Sequence, residues 1–346
     1  MGSYSFYIKP NWFQDKNFLM KRNSYFQHPP ALTVLLSLIV FAVFAPSCKK
    51  DISAGASTQT LRQYLSSTSQ YALFNKALQR TGLDTLLGGV VPYTVFAVGD
   101  SGMIQSGYTS AGIDTINIGK LRTNLLYQMV QGSITIANLQ YYQETPLATA
   151  DSNIQAYLEN NNFGLFFNGI PVVGVDSGLS NGIVQRLQTM GTAPIGDLYT
   201  TIGTIPSLSD FYLILYHFGG TANSYLNLNN ATPTAPQTIF APNNAFFATQ
   251  GLDNPVALQQ QGYNSYNFSF WGNGQYYISD FLGGSNILMS TDYLGFKYYQ
   301  WFTKDGYSFY PFNTGSSNSV NTDIHLRIVQ ANIVATNGVI HIVQPY

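Results

Sequence analysis

The chain has 346 residues, of which 45% are hydrophobic and only 9% are charged, and its formal net charge is -1. This composition excludes a disordered polymer, and the length allows two domain cores. The weak charge, without a basic patch, excludes the electrostatic footprint of a nucleic-acid-binding protein. The chain has one cysteine, so no disulfide can form within it and packed cores must supply its stability.

The N-terminal region has the pattern of an export signal. Lys21 and Arg22 precede the largely apolar stretch Ala31–Ala45. This stretch is shorter than the ~20 residues of a membrane-spanning helix and is typical of a signal peptide. Met20 is the expected start of translation, with residues 1–19 as an upstream extension. An ordinary secretory signal or a short anchor helix is the alternative for this segment.

The only cysteine follows small residues in the sequence Ala45-Pro46-Ser47-Cys48. The sequence resembles the lipobox of bacterial lipoproteins, although Pro46 is unusual at its position. The resemblance implies that residues 1–47 are removed and that Cys48 becomes the first mature residue. It also implies that the thiol of Cys48 carries a diacylglycerol, which holds the protein to a membrane without a spanning helix. Residues 48–57 are then a lipidated polar tether.

The region after the tether opens with helices and continues with a strand. Leu61 and Leu65 recur at helical spacing, and so does a second group of residues that ends near Leu78. Gly82 is a typical stop for that second helix. The β-rich segment Tyr93–Val98 predicts a strand.

A further helix and a hairpin are predicted later in the same region. Leu121, Leu125 and Met129 share one helical face, and Gly132 is the expected stop. Asn168-Gly169 separates two apolar runs, which is the strongest short signal for a β-hairpin.

Three landmarks recur in the same order, which predicts duplication of one domain. The predicted copies span residues 58–191 and 194–346. The recurring pairs are Thr94–Ala97 with Thr238–Ala241, Tyr127–Gly132 with Ser279–Gly284, and Ser180–Val184 with Thr336–Ile340.

Two of these landmarks resemble the conserved boxes of the fasciclin-like domain. The second copy preserves both boxes best, as Thr238–Phe247 and Ala335–Val343, whereas the first copy diverges. The resemblance implies an α+β fold of two fasciclin-like domains. Each is expected to be a wedge-shaped β-sandwich with helices packed along one edge. The box residues, expected to be structural, are Thr94, Phe96, Asn181, Gly182, Thr238, Phe240, Pro242, Asn337, Gly338 and His341.

The search for catalytic residues predicts that the chain is not an enzyme. Gly178–Gly182 fits the G-x-S-x-G pattern of hydrolases, with Ser180 as the nucleophile, but a strand rather than a helix is predicted after it. His341 is expected to be a structural imidazole, since a single histidine makes neither a metal site nor a catalytic pair. We therefore expect no catalytic residue, metal or cofactor.

Aromatic clusters in the second copy are the candidate ligand contacts, because Tyr and Trp bring large contact areas at low entropy cost. For a given ring, burial in the core is the alternative. The candidates are Tyr263, Tyr266, Trp271, Tyr298 and Trp301.

These features together predict an exported adhesion or binding module that contacts glycan or extracellular protein. The predicted location is the outer membrane, on the cell surface or the periplasmic face, with Cys48 as the anchor. Two alternatives stay open: a structural accessory subunit of an outer-membrane complex, and a hydrolase with an unrecognised site. No nucleic-acid partner is expected.

Overall fold

The computed structural model describes residues 58–151, 154–217, 236–249, 251, 271–284, 286–291, 297–313 and 325–346. All of them belong to one compact unit. The predicted signal peptide, Cys48 and the tether lie outside the described residues. Within the described ranges, no helix combines the length and apolar character needed to cross a membrane.

The N-terminal half, up to residue 193, begins with the predicted helices. Thr60 caps the first of them: its hydroxyl accepts from the Gln63 amide, and the Gln63 side chain accepts from the Thr60 amide. Gly82 ends the second helix with a φ of 71°. The elements are α1 (Leu61–Ser67), α2 (Ala72–Thr81), β1 (Tyr93–Val98), α3 (Asp100–Gln105), α4 (Ser110–Thr115), α5 (Ile118–Tyr127), β2 (Met129–Gln131), β3 (Glu144–Ala148), β4 (Gln155–Asn161), β5 (Gly164–Phe167), β6 (Ile170–Leu179) and β7 (Gly182–Leu187).

The C-terminal half, from residue 194, follows a similar order of helices and strands. Its elements are α6 (Leu198–Gly203), α7 (Ser209–His217), β8 (Gln237–Pro242), α8 (Asn244–Thr249), β9 (Trp271–Asn273), α9 (Ile278–Phe281), β10 (Asn286–Thr291), β11 (Lys297–Phe302), β12 (Ser308–Asn313), β13 (Leu326–Ala335) and β14 (Gly338–Pro345).

The described strands of each half form a seven-stranded sheet, and the two sheets have the same strand order. The first runs β2-β1-β7-β6-β5-β4-β3 and the second runs β9-β8-β14-β13-β12-β11-β10. In both, the first long strand of the half pairs in parallel with the last, as β1 with β7 and β8 with β14. The structure is therefore an α+β fold of mixed helices and sheets, with one strand order used twice.

The buried residues form two separate hydrophobic clusters. One runs from Leu61 to Ala193 and the other from Leu198 to Val343. Each sheet therefore has its own core, built from residues of its own half. The domain limits 58–191 and 194–346 stay a prediction.

The strand register corrects the alignment of one predicted landmark. Tyr93 pairs with Gln131, and the equivalent Gln237 pairs with Asn273. Gly132 therefore corresponds to Gly274, so the alignment of Tyr127–Gly132 with Ser279–Gly284 is wrong.

The predicted end of the α5 helix is also wrong. Met129 has helical spacing from Leu125 but lies on β2, opposite Val95. The helix stops at Tyr127, where the chain turns into the sheet. Gln128 fixes this turn because its side chain donates to Phe96 O (2.6 Å) and accepts from the Gly191 amide (2.7 Å). A sheet contact thus overrides the helical pattern of the sequence.

Candidate functional site

The two Asn-Gly turns hold the start of each half against its closing strand. Asn181 Oδ1 accepts from the Leu61 amide (2.8 Å), and Asn181 Nδ2 donates to Leu87 O (2.9 Å) and Gly89 O (2.7 Å). In the C-terminal half, Asn337 Oδ1 accepts from the Leu198 amide (2.8 Å). Both asparagines are buried, and each joins a helix start to a sheet.

We expect Asn181→Ala to destabilise the protein by about 2–3 kcal/mol, because it removes three hydrogen bonds and leaves a buried amide and two carbonyls without this partner. Ser180→Ala, on the same turn, is the control. The Ser180 hydroxyl donates only to Gln59 O near the surface, so its loss is expected to cost within about 0.5 kcal/mol. Urea unfolding of both variants measures the difference, and equal midpoints would contradict this role of Asn181.

The two threonines of the first box make the same pair of contacts in each half. Thr94 Oγ1 donates to Gly132 O (2.7 Å) and accepts from the Ile134 amide (2.8 Å). Thr238 Oγ1 donates to Gly274 O (2.8 Å) and accepts from the Tyr276 amide (2.8 Å). Thr94 thus links β1 to the turn after β2, and Thr238 links β8 to the turn after β9.

Phe96, Phe240 and Pro242 lie inside the cores. The ring of Phe96 packs 4.4 Å from that of Phe167, and Phe240 stacks against His341 at 5.2 Å. Pro242 is buried at the end of β8, opposite Val343. These side chains therefore offer no surface to a ligand.

His341 is fully buried on β14 and uses both ring nitrogens. Nε2 donates to Tyr276 O (2.9 Å), so Nδ1 is the acceptor for the Asn332 amide (3.4 Å). Burial lowers the pKa of His341 to about 4, which the hydrogen bond to Tyr276 O opposes. The ring is thus neutral at physiological pH and fastens β14 to the segment before α9.

Ser180 does not occupy a nucleophile elbow. It lies on the turn between strands β6 and β7, whereas the hydrolase motif needs a strand followed by a helix. Across the described part of the chain, no group of three or more His, Cys, Asp or Glu is placed to hold a metal ion.

The predicted ligand-contact aromatics fall partly outside the described residues. Tyr263 and Tyr266 lie in the undescribed segment before β9. Trp271 is on β9, and Tyr298 and Trp301 are on β11. Their backbone positions place them on strands of the second sheet.

An exposed aromatic patch in the N-terminal half was missed by the sequence analysis. Tyr141 and Tyr142 are 54% and 55% exposed, and their rings meet edge to face with centroids 4.7 Å apart. Both hydroxyls bond to the side chain of Asn162, and Phe163, the next residue, is 52% exposed. We call Tyr141, Tyr142, Asn162 and Phe163 the aromatic patch. Tyr142 has a φ of 58°, which is rare for an aromatic residue.

The two halves meet at a joint formed by two turns of the first sheet and the region around α9. Tyr277 Oη donates to Asn168 Oδ1 (3.1 Å), and Asn168 Nδ2 contacts Tyr127 Oη (2.7 Å). Asn161 Nδ2 lies 3.5 Å from Ser279 O. A Cβ on Gly169 would lie 2.8 Å from Tyr277 Cβ, and its φ is 72°, so both the contact and the backbone favour glycine here.

Three carboxyl groups lie beside this joint, and we call them the acid cluster: Glu159, which is buried, and Glu144 and Asp280, which are half-buried. Glu144 and Glu159 are directly opposite each other on β3 and β4. Glu159 Oε1 accepts from Asn161 Nδ2 (2.7 Å), whereas Glu159 Oε2 and Glu144 Oε1 have no hydrogen-bond partner among the described residues. Asp280 comes from α9, in the other half, and accepts from the Tyr277 amide (2.6 Å).

The environment of the acid cluster favours the protonated forms of Glu144 and Asp280. Burial, followed by the nearby Asp280 and Glu159, raises the pKa of Glu144 from 4.5 to about 9. Burial, followed by Glu159, raises the pKa of Asp280 from 3.8 to about 7, although its hydrogen bond from the Tyr277 amide has the opposite effect. Like charges and a low dielectric therefore act in the same direction on both groups.

A cleft of about 810 Å³ also lies between the halves. The Asn168-Gly169 turn and the chain around Met190 line one side, and Ile278 and the β13 residues Val329–Val334 line the other. Lys120 is the only Lys, Arg, Asp or Glu among the described lining residues. The volume suits a small ligand, and the lining suits one with little charge.

No family model matches the chain, and no curated protein matches it. Among solved structures, it is similar to a FAS1 domain pair from the insect cell adhesion molecule fasciclin I. The identity is 17%, the TM-score is 0.35, and the match covers 80% of this chain and 96% of that chain.

Proposed function

We propose that the protein is a non-catalytic binding module that contacts glycan or extracellular protein through exposed aromatic rings. The observation that carries this proposal is the aromatic patch. Tyr141 and Tyr142 are more than half exposed, yet Asn162 fixes both hydroxyls. Rings that are already ordered lose little entropy on binding, which favours a contact surface over a solvated loop.

The low charge of the chain supports the same proposal. Only 9% of the residues are charged, so binding depends on ring contacts and uncharged hydrogen bonds rather than on long-range attraction. Such binding is screened little by salt. We infer that each half is a fasciclin-like, wedge-shaped β-sandwich with its helices along one edge.

Membrane attachment through a lipid on Cys48 is part of the proposal. It is supported by the lipobox-like sequence before Cys48. Metabolic labelling with a fatty acid should label the protein, and Cys48→Ala should abolish the label. Proteolysis of intact cells then distinguishes the cell surface from the periplasmic face.

We expect Tyr141→Ala/Tyr142→Ala to lower the affinity for a bound glycan or matrix protein by about 10-fold or more, as for a buried aromatic hot spot. The assay uses a panel of immobilised neutral oligosaccharides and extracellular-matrix proteins, at low and high ionic strength. Tyr346→Ala is the matched control, since Tyr346 is 62% exposed and lies in the other half. An equal loss in both variants, or binding that disappears at moderate salt, counts against the proposed surface.

A further inference from the structure

Among the described residues, few hydrogen bonds hold the two halves together at the joint. The described hydrogen bonds across it run from Tyr277 to Asn168 and, at 3.5 Å, from Asn161 to Ser279 O. Gly283 adds a packing contact, because a Cβ there would lie 2.7 Å from Phe163 Cζ. By contrast, each half has its own sheet and its own hydrophobic cluster. In the described part of the chain, the hydrogen bonds of the joint are therefore fewer than those within either half, which favours change at the joint.

The acid cluster spans this joint. Glu144 and Glu159 belong to β3 and β4 of the N-terminal half, and Asp280 belongs to α9 of the C-terminal half. Ionisation of Glu144 and Asp280 places like charges on both sides of the joint, where partial burial weakens screening by water. Since Glu144 Oε1 and Glu159 Oε2 lack hydrogen-bond donors among the described residues, their negative charge is poorly compensated.

The tyrosine phenols around the acid cluster lose their protons at a higher pH than Glu144 and Asp280 do. Among the described residues, Glu144 faces Asp280, Glu159 and the phenols of Tyr157, Tyr276 and Tyr277. Asp280 faces Glu144, Glu159 and Tyr276. Burial raises the pKa of all three phenols above their ordinary value of 10.0. Raising the pH therefore removes carboxyl protons from the joint before phenol protons.

We propose that Glu144 and Asp280 form a pH-dependent switch across the joint: their protonated carboxyls keep the two halves in one orientation, and loss of their protons releases the joint while each half stays folded. Asn168, Gly169, Ile278 and Asn332 belong both to the joint region and to the cleft lining. Release of the joint therefore changes the shape of the cleft. This inference concerns the conformation of the protein and is independent of the ligand proposed above.

Spin labels on the two halves test this pH-dependent switch in the full-length protein. Ser66→Cys on α1 and Ser207→Cys before α7 are exposed positions, one in each half. A Cys48→Ser background removes the only native thiol. The distance distribution between the labels is measured from about pH 5 to about pH 10, with far-UV circular dichroism recorded on the same samples.

We expect one narrow distance at acid pH and a distribution about twofold wider at alkaline pH, with unchanged circular dichroism. Glu144→Gln should keep the narrow distribution at every pH. Asp280→Asn gives a second test if Glu144→Gln does not fold, and Asp114→Asn, on an exposed ion pair with Lys76, should behave like the unsubstituted protein.

Three results would overturn the proposal. One is a distance distribution that does not change with pH in the unsubstituted protein. Another is the same widening in Glu144→Gln or Asp280→Asn. The third is loss of circular dichroism at the same pH as the widening, because that result means unfolding rather than release of a joint.

Discussion

Gly182→Ala is expected to destabilise the N-terminal half by more than about 4 kcal/mol, the range reserved for severe steric or strain defects. A Cβ at this position would lie 1.9 Å from Tyr93 O, and the φ of Gly182 is 150°. Both the contact and the backbone conformation exclude a side chain. The clash falls where β1 and β7 begin to pair in parallel, so relief requires the two central strands to separate.

Gly178→Ala provides a matched control in the same hairpin. A Cβ there meets nothing within 4 Å, and its φ lies outside the left-handed region. We expect a change within about 0.5 kcal/mol for this variant. Gly338→Ala is the equivalent test in the C-terminal half, because its Cβ would lie 2.0 Å from Gln237 O.

Urea unfolding followed by circular dichroism measures these effects. If the halves unfold in separate transitions, Gly182→Ala should shift only the transition of the N-terminal half, and Gly338→Ala only the other. A Gly182→Ala protein as stable as Gly178→Ala would contradict the close pairing of β1 with β7.

The sequence predicts much of the framework because its signals are local. Gly82 ends α2, and Asn168-Gly169 turns the chain between β5 and β6 with positive φ at both residues. Thr94 and Thr238 occupy equivalent positions because the same strand-to-turn contact is made twice. The glycine signals depend on neighbours within one element or one turn, so short motifs are sufficient to predict them. The threonines are predicted from their recurrence, since each contacts residues 36 to 40 positions away.

The aromatic patch and the acid cluster depend instead on residues that the fold brings together. Tyr141 and Tyr142 meet Asn162 only because the chain pairs Tyr141 with Asn160 after a long connection. Glu144, Glu159 and Asp280 are scattered singly in the sequence, and nothing local indicates that they share one buried site. The adjacent tyrosines were the only sequence signal for either feature, and the larger aromatic clusters of the second copy obscured it.

Glu144→Gln is expected to stabilise the protein at neutral and alkaline pH and to have little effect at acid pH. The folded protein holds the Glu144 proton with a pKa of about 9, against an ordinary value of 4.5. Between these two values the unfolded chain releases this proton while the folded protein keeps it. Rising pH therefore favours unfolding, by roughly 1.4 kcal/mol per pH unit for one such group.

This loss of folding stability is absent below about pH 4.5 and complete above about pH 9. These are the pKa values of the Glu144 carboxyl in the unfolded and the folded protein. Glutamine keeps the shape of the side chain but has no proton to lose, so the variant should lack this part of the pH dependence. Thermal and urea unfolding across the interval, with Asp114→Asn as the exposed-carboxyl control, measure the difference. Parallel stability curves for Glu144→Gln and the unsubstituted protein would mean that Glu144 titrates normally and that its position beside the joint has no energetic consequence.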